Sequence, residues 1–151
     1  MSNIIQKKVA VGIITNSQGE FLLQKKDSGH KIVPLYWTFF GGGVEDGESP
    51  EEAFRREIQE ELSVKLEDIV LFKTYNFKKE VEADNSDIEK IFFIFSARFN
   101  GTNREIRLGE GAGFAFFTAE ELSTLKMPEH VRTMLLDFLG REQNFKPSQN
   151  Q

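Results

Sequence analysis

Apolar residues at the start of the chain come in short, dense runs. Val9-Ala10-Val11-Gly12-Ile13-Ile14 is continuous, the pattern of a strand buried on both faces. Asn16-Ser17-Gln18-Gly19 is turn chemistry, and Glu20-Phe21-Leu22-Leu23-Gln24-Lys25 reads as the returning strand. Asp27 to Leu35 reads as loop, and Tyr36-Trp37-Thr38-Phe39-Phe40 as a short strand entering Gly41-Gly42-Gly43. The period then changes. Phe54, Ile58 and Leu62 recur at i, i+4 and i+8, one stripe of a helix. Its start is fully signalled: Ser49 as N-cap, Pro50 at the first helical position, and Glu52 completing a capping box. Two strands follow, about Ile69 to Lys78 and Lys90 to Phe99, with the acidic stretch Glu80 to Asp87 as the loop between them. Phe114 to Phe117 is another strand, Thr118 to Glu121 a second capping box opening a short helix, and Pro128 to Leu139 a final amphipathic helix. This order predicts an α+β domain, a sheet with helices on more than one face.

Length and composition narrow the picture. At 151 residues the chain fits one domain, expected over residues 1–140, with a disordered tail over 141–151 whose low complexity is plain from Asn144 onward. The absence of Cys excludes disulfides, zinc–thiolate sites, iron–sulfur clusters and cysteine catalysis. Two His exclude a His-rich metal site. Ile91 to Phe95 is far short of a membrane span, and the first eight residues lack a signal-peptide core, so a cytoplasmic protein with no membrane contact is expected. A net charge of −5 gives no general pull toward nucleic acid.

That charge is concentrated. Between Glu48 and Glu67 there are seven acids and three bases. On a wheel of about 100° per residue, with Glu57 at 0°, Glu60 falls near about −60° and Glu61 near about +40°. Three carboxylates thus share one arc beside the apolar stripe. Like charges at i, i+4 destabilise a helix by a few tenths of a kcal/mol. Two readings stand on this pattern: a solvated acidic face, or a site for a hard divalent cation, which takes carboxylate oxygens and water and needs neither His nor Cys. The glycine turn ahead of the helix lets backbone approach a ligand closely and favours the second.

These residues resemble the Nudix signature, Gly-x5-Glu-x7-Arg-Glu-U-x-Glu-Glu-x-Gly-U with U a bulky aliphatic. Gly42 leads through five residues to Glu48, and seven more reach Arg56-Glu57-Ile58-Gln59-Glu60-Glu61-Leu62-Ser63-Val64. Eight of nine fixed positions match, and Ser63 replaces the last glycine. Outside the box, the strand order, the Trp37 run into the glycines and Leu108-Gly109-Glu110-Gly111 before Phe116-Phe117 also look like the family, over about residues 5 to 140.

The resemblance implies an α/β/α sandwich with a mixed β-sheet. It implies hydrolysis of the diphosphate in a nucleoside diphosphate linked to X, with Mg²⁺ or Mn²⁺. Glu57, Glu60 and Glu61 would ligate the metal, one of them doubling as general base, and Gly42 would offer its carbonyl. Arg56 would hold the box acids, Glu48 among them, and Gly42 and Gly43 would shape the turn. Glu110 would add a late-loop ligand or base. The expected partner is a small nucleotide, bound by a monomer or homodimer, with a nucleoside triphosphate cleaved to monophosphate and pyrophosphate, oxidised nucleotides included. NDP-sugars, ADP-ribose and dinucleoside polyphosphates are the alternatives, and a non-catalytic nucleotide sensor is the alternative of another class. Lys25, Trp37 and Phe39 are candidate substrate contacts. Two departures stand out: Ser63, where the helix end favours glycine because it takes positive φ without strain, and Phe40, where many members have proline.

Overall fold

The computed structural model describes residues 3–26, 35–81, 86–109 and 113–145. Strands β1 (Asn3–Thr15), β2 (Phe21–Lys26), β3 (Tyr36–Thr38) and β4 (Phe40–Gly43) precede helix α1 (Pro50–Leu62). Strands β5 (Glu67–Val81) and β6 (Ser86–Arg98) follow, then β7 (Gly113–Phe117) and helices α2 (Ala119–Leu122) and α3 (Glu129–Phe145).

All seven strands form one mixed sheet, with β1 at its centre. One edge of β1 pairs in parallel with β6, from Asn3 opposite Ser86 to Thr15 opposite Arg98. Its other edge is shared: residues 9–12 pair antiparallel with β4, and 14–15 with β2. The alternation of a strand then sorts β1 side chains between two cores. Ala10 and Ile14 join Phe54, Ile58 and Leu62 of α1, while Val11 and Ile13 join Val131, Met134 and Leu135 of α3. A strand covered on both faces reads as the unbroken apolar run seen in the sequence. The layers are therefore helix, sheet, helix.

The helix signals act as their residues require. Ser49 accepts from the Glu52 N–H, and Glu52 returns a bond to the Ser49 N–H. Thr118 and Glu121 do the same at α2. Phe54, Ile58 and Leu62 are buried, each such side chain contributing about 1.5–3 kcal/mol by its removal from water.

Several boundaries differ from the sequence reading, β1 beginning at Asn3 rather than Val9 among them. The run expected as one strand over 36–40 is two, because the chain crosses at Phe39 from β2, which pairs β3, to β1, which pairs β4. Four of the eight residues expected as a loop over 80–87 are strand: Glu80 pairs opposite Asp87 and Val81 opposite Ser86, and residues 82–85 lie outside the described residues. Helix α3 runs through Phe145, into the segment expected to be tail, and residues 146–151 lie outside the described residues.

Candidate active site

Strand β4 and helix α1 pack directly against each other, and the acids of α1 meet the glycine strand at that seam. Glu61 is anchored there: its Oε1 accepts the Gly41 N–H at 3.0 Å. Glu57 lies flat against Gly42. A Cβ added at Gly42 would sit 2.5 Å from the Glu57 carboxyl carbon, so no residue with a side chain fits there while Glu57 keeps its position.

Arg56 is the hub of the acidic edge. Its guanidinium forks onto Glu48, Nε to Oε2 at 2.7 Å and Nη2 to Oε1 at 3.0 Å. Nη2 also donates to the Gly43 carbonyl at 3.0 Å, and Nη1 to Glu57 Oε1 at 3.0 Å and Glu60 Oε2 at 3.4 Å. A planar fork is what two-pronged carboxylate recognition requires. Glu48 accepts the Glu45 N–H as well, and the Arg56 hydrogen bond, followed by that backbone donor, holds its carboxyl below the usual range. Box acid, strand backbone and helix are thus tied by one side chain.

The electrostatics single out Glu61. Burial, with the neighbouring Glu57 charge, pushes its pKa up to about 7, against the pull of the Gly41 N–H, Lys26 and Gln24. A carboxylate short of positive charge in a half-buried seam is suited to a cation, and an all-oxygen donor set suits a hard divalent one. The ligands are not gathered in advance. Among the described residues, no three acids converge closely enough to hold a metal. Arg56 bridges Glu57 and Glu60, and the Glu60 side chain is 59% exposed. Glu60 must turn back toward Glu57 and Glu61 for the three to share one ion.

The back of the seam is closed by a return of the chain. Arg107 N–H donates to the Leu62 carbonyl at 3.0 Å and Gly109 N–H to the Glu61 carbonyl at 2.8 Å. These carbonyls lie in the last turn of α1, which has no i+4 partner of its own. Glu110, the expected late-loop acid, lies outside the described residues.

The remaining candidates separate. Phe39 is 4% exposed and packs in the α3-side core, so its ring presents no face to a ligand; the expectation of substrate contact fails because the strand crossing turns it inward. Lys25 and Trp37 are half-buried neighbours, with Lys25 Nζ 5.7 Å from the ring centroid and Phe117 edge-on to the ring at 4.7 Å. They occupy the α3 side of β2, as Leu23 does. Lys26 and Gln24, like Leu22, face the α1 side, where both act on Glu61. In the sequence Lys26 could meet a phosphate but reads more simply as a surface lysine, and a glutamine ending an apolar strand carries no signal. A separate open cleft of about 440 Å³, lined by Ser63, Lys65, Glu67, Asn100 and Glu105 among others, contains none of the box acids at 57, 60 and 61.

Comparison with known proteins decides the family. A family model described as the NUDIX domain matches residues 6–138. The chain belongs to the Nudix family. A nucleoside triphosphatase named NudI from Enterobacter sp. (strain 638) is 35% identical over 134 residues, covering 84% of this chain and 92% of the relative. The namesake from Escherichia fergusonii is 34% identical, covering 86% and 94%. Two solved structures share the fold: the E. coli ORF135 protein, with a TM-score of 0.65, 21% identity and 96% of each chain covered, and a MutT protein from Methanosarcina mazei Go1, with a TM-score of 0.64, 20% identity, and 96% of this chain and 98% of that one covered. This Nudix pyrophosphohydrolase has the α+β sandwich of its structural neighbours. Nudix hydrolases generally use divalent metal ions and act on small nucleotide substrates. Among the described residues, no helix is long and apolar enough to cross a membrane.

Proposed function

We propose that this Nudix enzyme hydrolyses a nucleoside triphosphate to the nucleoside monophosphate and pyrophosphate, with Mg²⁺ or Mn²⁺ held by Glu57, Glu60 and Glu61. The observation that carries the proposal is the complete acidic edge of α1, braced by Arg56 against Glu48 and the Gly43 carbonyl. The nucleoside triphosphatase name of the relatives supports the substrate class.

The protein is acidic and its substrate polyanionic, so the two need a cation between them. A bound divalent ion neutralises phosphate charge and lowers the pKa of a coordinated water. The chain does the rest. Glu57 and Glu61 are held by Arg56 and the Gly41 N–H, so two ligands are set before substrate arrives. Glu60, largely exposed and 3.4 Å from Arg56 Nη1, would turn from Arg56 to complete the set. Lys26, an exposed residue whose charge reaches Glu61 from the same side of the sheet, supplies a positive group for a phosphate. One of the three glutamates takes the proton of the attacking water, a transfer that requires a carboxylate within hydrogen-bond reach.

The test is product analysis of the purified protein with Mg²⁺ against natural and oxidised deoxynucleoside triphosphates, NDP-sugars, ADP-ribose and dinucleoside polyphosphates. Release of monophosphate and pyrophosphate from triphosphates is expected. Glu60→Gln should lose at least about 10²-fold in turnover with an unchanged circular dichroism spectrum. Near wild-type turnover by that folded variant would remove Glu60 from the ligand set. Cleavage of another substrate class alone would keep the hydrolase and replace the substrate.

A further inference from the structure

The seam between β4 and α1 has two ends of different charge. Glu57 lies at one, over Gly42, and Glu61 at the other, on the Gly41 N–H. Beyond Glu57 the chain is acidic. Glu48 and Glu45 approach the Arg56 guanidinium at 2.7 and 3.8 Å, and Asp46 lies between them in the sequence. Lys8 stands at that end too: its carbonyl accepts the Val44 N–H, and its side chain shares the α1 face with Ala10. Beyond Glu61 the chain is different. Gln24 Nε2 donates to the Phe39 carbonyl at 2.7 Å, which sets β2 against the crossing two residues before Gly41. Lys26 follows Gln24 on the same face, about 7 Å along the strand. Strand β3 places Thr38 opposite Gln24 and Tyr36 opposite Lys26. Residues directly opposite share a face, with Cβ atoms about 4.5–5.5 Å apart. Trp37, between Tyr36 and Thr38, faces the other way onto Phe117. Lys26 is exposed and Tyr36 half-buried. Among the described residues, neither the Lys26 ammonium nor the Tyr36 hydroxyl has a hydrogen-bond or salt-bridge partner.

We propose that Lys26 and Tyr36 hold the pyrophosphate half of the substrate and so set the direction in which a nucleoside triphosphate lies along the seam. This direction rests on the triphosphate reading above. Hydrolysis of the bridge between the first and second phosphates consumes one water and parts the monophosphate from pyrophosphate. The pyrophosphate half carries most of the negative charge. It is placed at lower energy beside an unpaired ammonium than beside Glu45, Asp46 and Glu48, whose Arg56 is already engaged. A lysine meets phosphate as a point charge. The phenolic O–H of Tyr36 adds a directed donor. Both side chains stand on paired strands, which place a contact more precisely than a loop does. The nucleoside half is then directed toward the Glu57 end.

The direct probe is inorganic pyrophosphate with Mg²⁺, titrated calorimetrically into the full-length protein and used separately as an inhibitor of turnover. Lys26→Ala should bind it roughly ten-fold or more weakly, and Tyr36→Phe roughly three-fold to ten-fold. Tyr36→Phe keeps the ring and its packing, so a loss there belongs to the hydroxyl. Inhibition by the nucleoside monophosphate should stay at the wild-type level in both variants, while KM for the triphosphate rises. Lys8→Ala removes the same charge from the same face at the opposite end of the seam, and its pyrophosphate affinity should match wild type. Unchanged pyrophosphate affinity in folded Lys26→Ala and Tyr36→Phe would overturn the proposal. So would an equal loss in Lys8→Ala, which would make the effect one of overall charge. Weakened monophosphate binding in place of pyrophosphate would reverse the substrate along the seam and overturn it as well. A wild-type protein that releases pyrophosphate from no triphosphate would overturn the triphosphate reading itself. Wild-type turnover of triphosphates with indifferent Lys26 and Tyr36 variants overturns only the direction of binding.

Discussion

At the scale of single residues, the departure of the box from its pattern has a physical consequence. Ser63 sits at the C-terminus of α1 with φ 57° and ψ 35°, in the left-handed region, and its N–H donates to the Gln59 carbonyl. Left-handed backbone costs a residue with a Cβ roughly 1–2 kcal/mol. Glycine removes that cost, but its unfolded chain has more freedom to lose. Ser63→Gly should therefore stabilise the protein by about 0.5–1 kcal/mol, read as a higher urea midpoint at unchanged slope. A lower midpoint would show that the serine hydroxyl contributes something the backbone argument omits. The helix end was legible because glycine at that position has a single conformational reason. The Arg56–Glu48 fork was legible because the motif ties two residues eight apart. Gln24 and Lys26 were not: a partner supplied by a neighbouring strand leaves no periodicity, and only alternation along β2 separates Lys26 from Lys25. Phe39 was misread because an aromatic beside a glycine turn looks the same whether the strand crossing turns it in or out.

Elements add constraints that no single residue carries. The stripe and capping box of α1 were legible because helix periodicity and capping are local. The ends of β5 and β6 were not, because beyond Lys78 and before Lys90 the strands are mostly polar and are ordered by pairing with each other and, for β6, with β1. The tie between the 107–109 segment and α1 is likewise a product of folding. A Cβ added at Gly109 would lie 2.5 Å from the Glu60 carbonyl oxygen, which cannot yield without unwinding the last turn. Gly109→Ala should cost about 1–3 kcal/mol and lower turnover with it, since the same turn carries Glu60 and Glu61. Unfolding and kinetic measurements on one variant check both, and a stability loss without a kinetic one would uncouple the segment from the site. On the opposite face, α3 is fastened to β5 by Asp137, which accepts the Tyr75 hydroxyl at 2.6 Å and lies 3.4 Å from Lys73 Nζ. The Tyr75 hydrogen bond, then Lys73, holds the Asp137 pKa below its ordinary value. A lowered carboxylate pKa means that the folded state binds fewer protons than the unfolded one. The stabilisation is thus present above about pH 4 and lost as pH falls through the folded value. Asp137→Asn should melt below wild type at pH 7, with the gap closing in acid. A gap that persists at pH 3 would assign the loss to packing.

The whole molecule sets a conflict between folding and function at the α1 seam. Metal-free, the protein keeps Glu61 half-buried beside Glu57, and the raised Glu61 pKa is the sign of that strain. Such a group lowers stability where it serves a site, and its neutral isostere usually restores it. Glu61→Gln retains an oxygen for the Gly41 N–H and removes the charge, so the metal-free variant should be more stable than wild type by about 1 kcal/mol at pH 8. Metal reverses the order. An ion that binds only the folded state stabilises it by about 2.7 kcal/mol at one hundred times its Kd, which for a chain of this length is a rise of roughly 5–10 °C in Tm. Wild type should show that rise with Mg²⁺ or Mn²⁺ and lose it with chelator, and in Glu61→Gln the rise should shrink. The two melting curves then cross: the variant is higher without metal, the wild type higher with it. Parallel curves would mean that the ion binds elsewhere. A variant less stable in both states would mean that the Glu61 charge supports the fold, and the seam would then be an ion-pair network built around Arg56 rather than a site held ready for a cation.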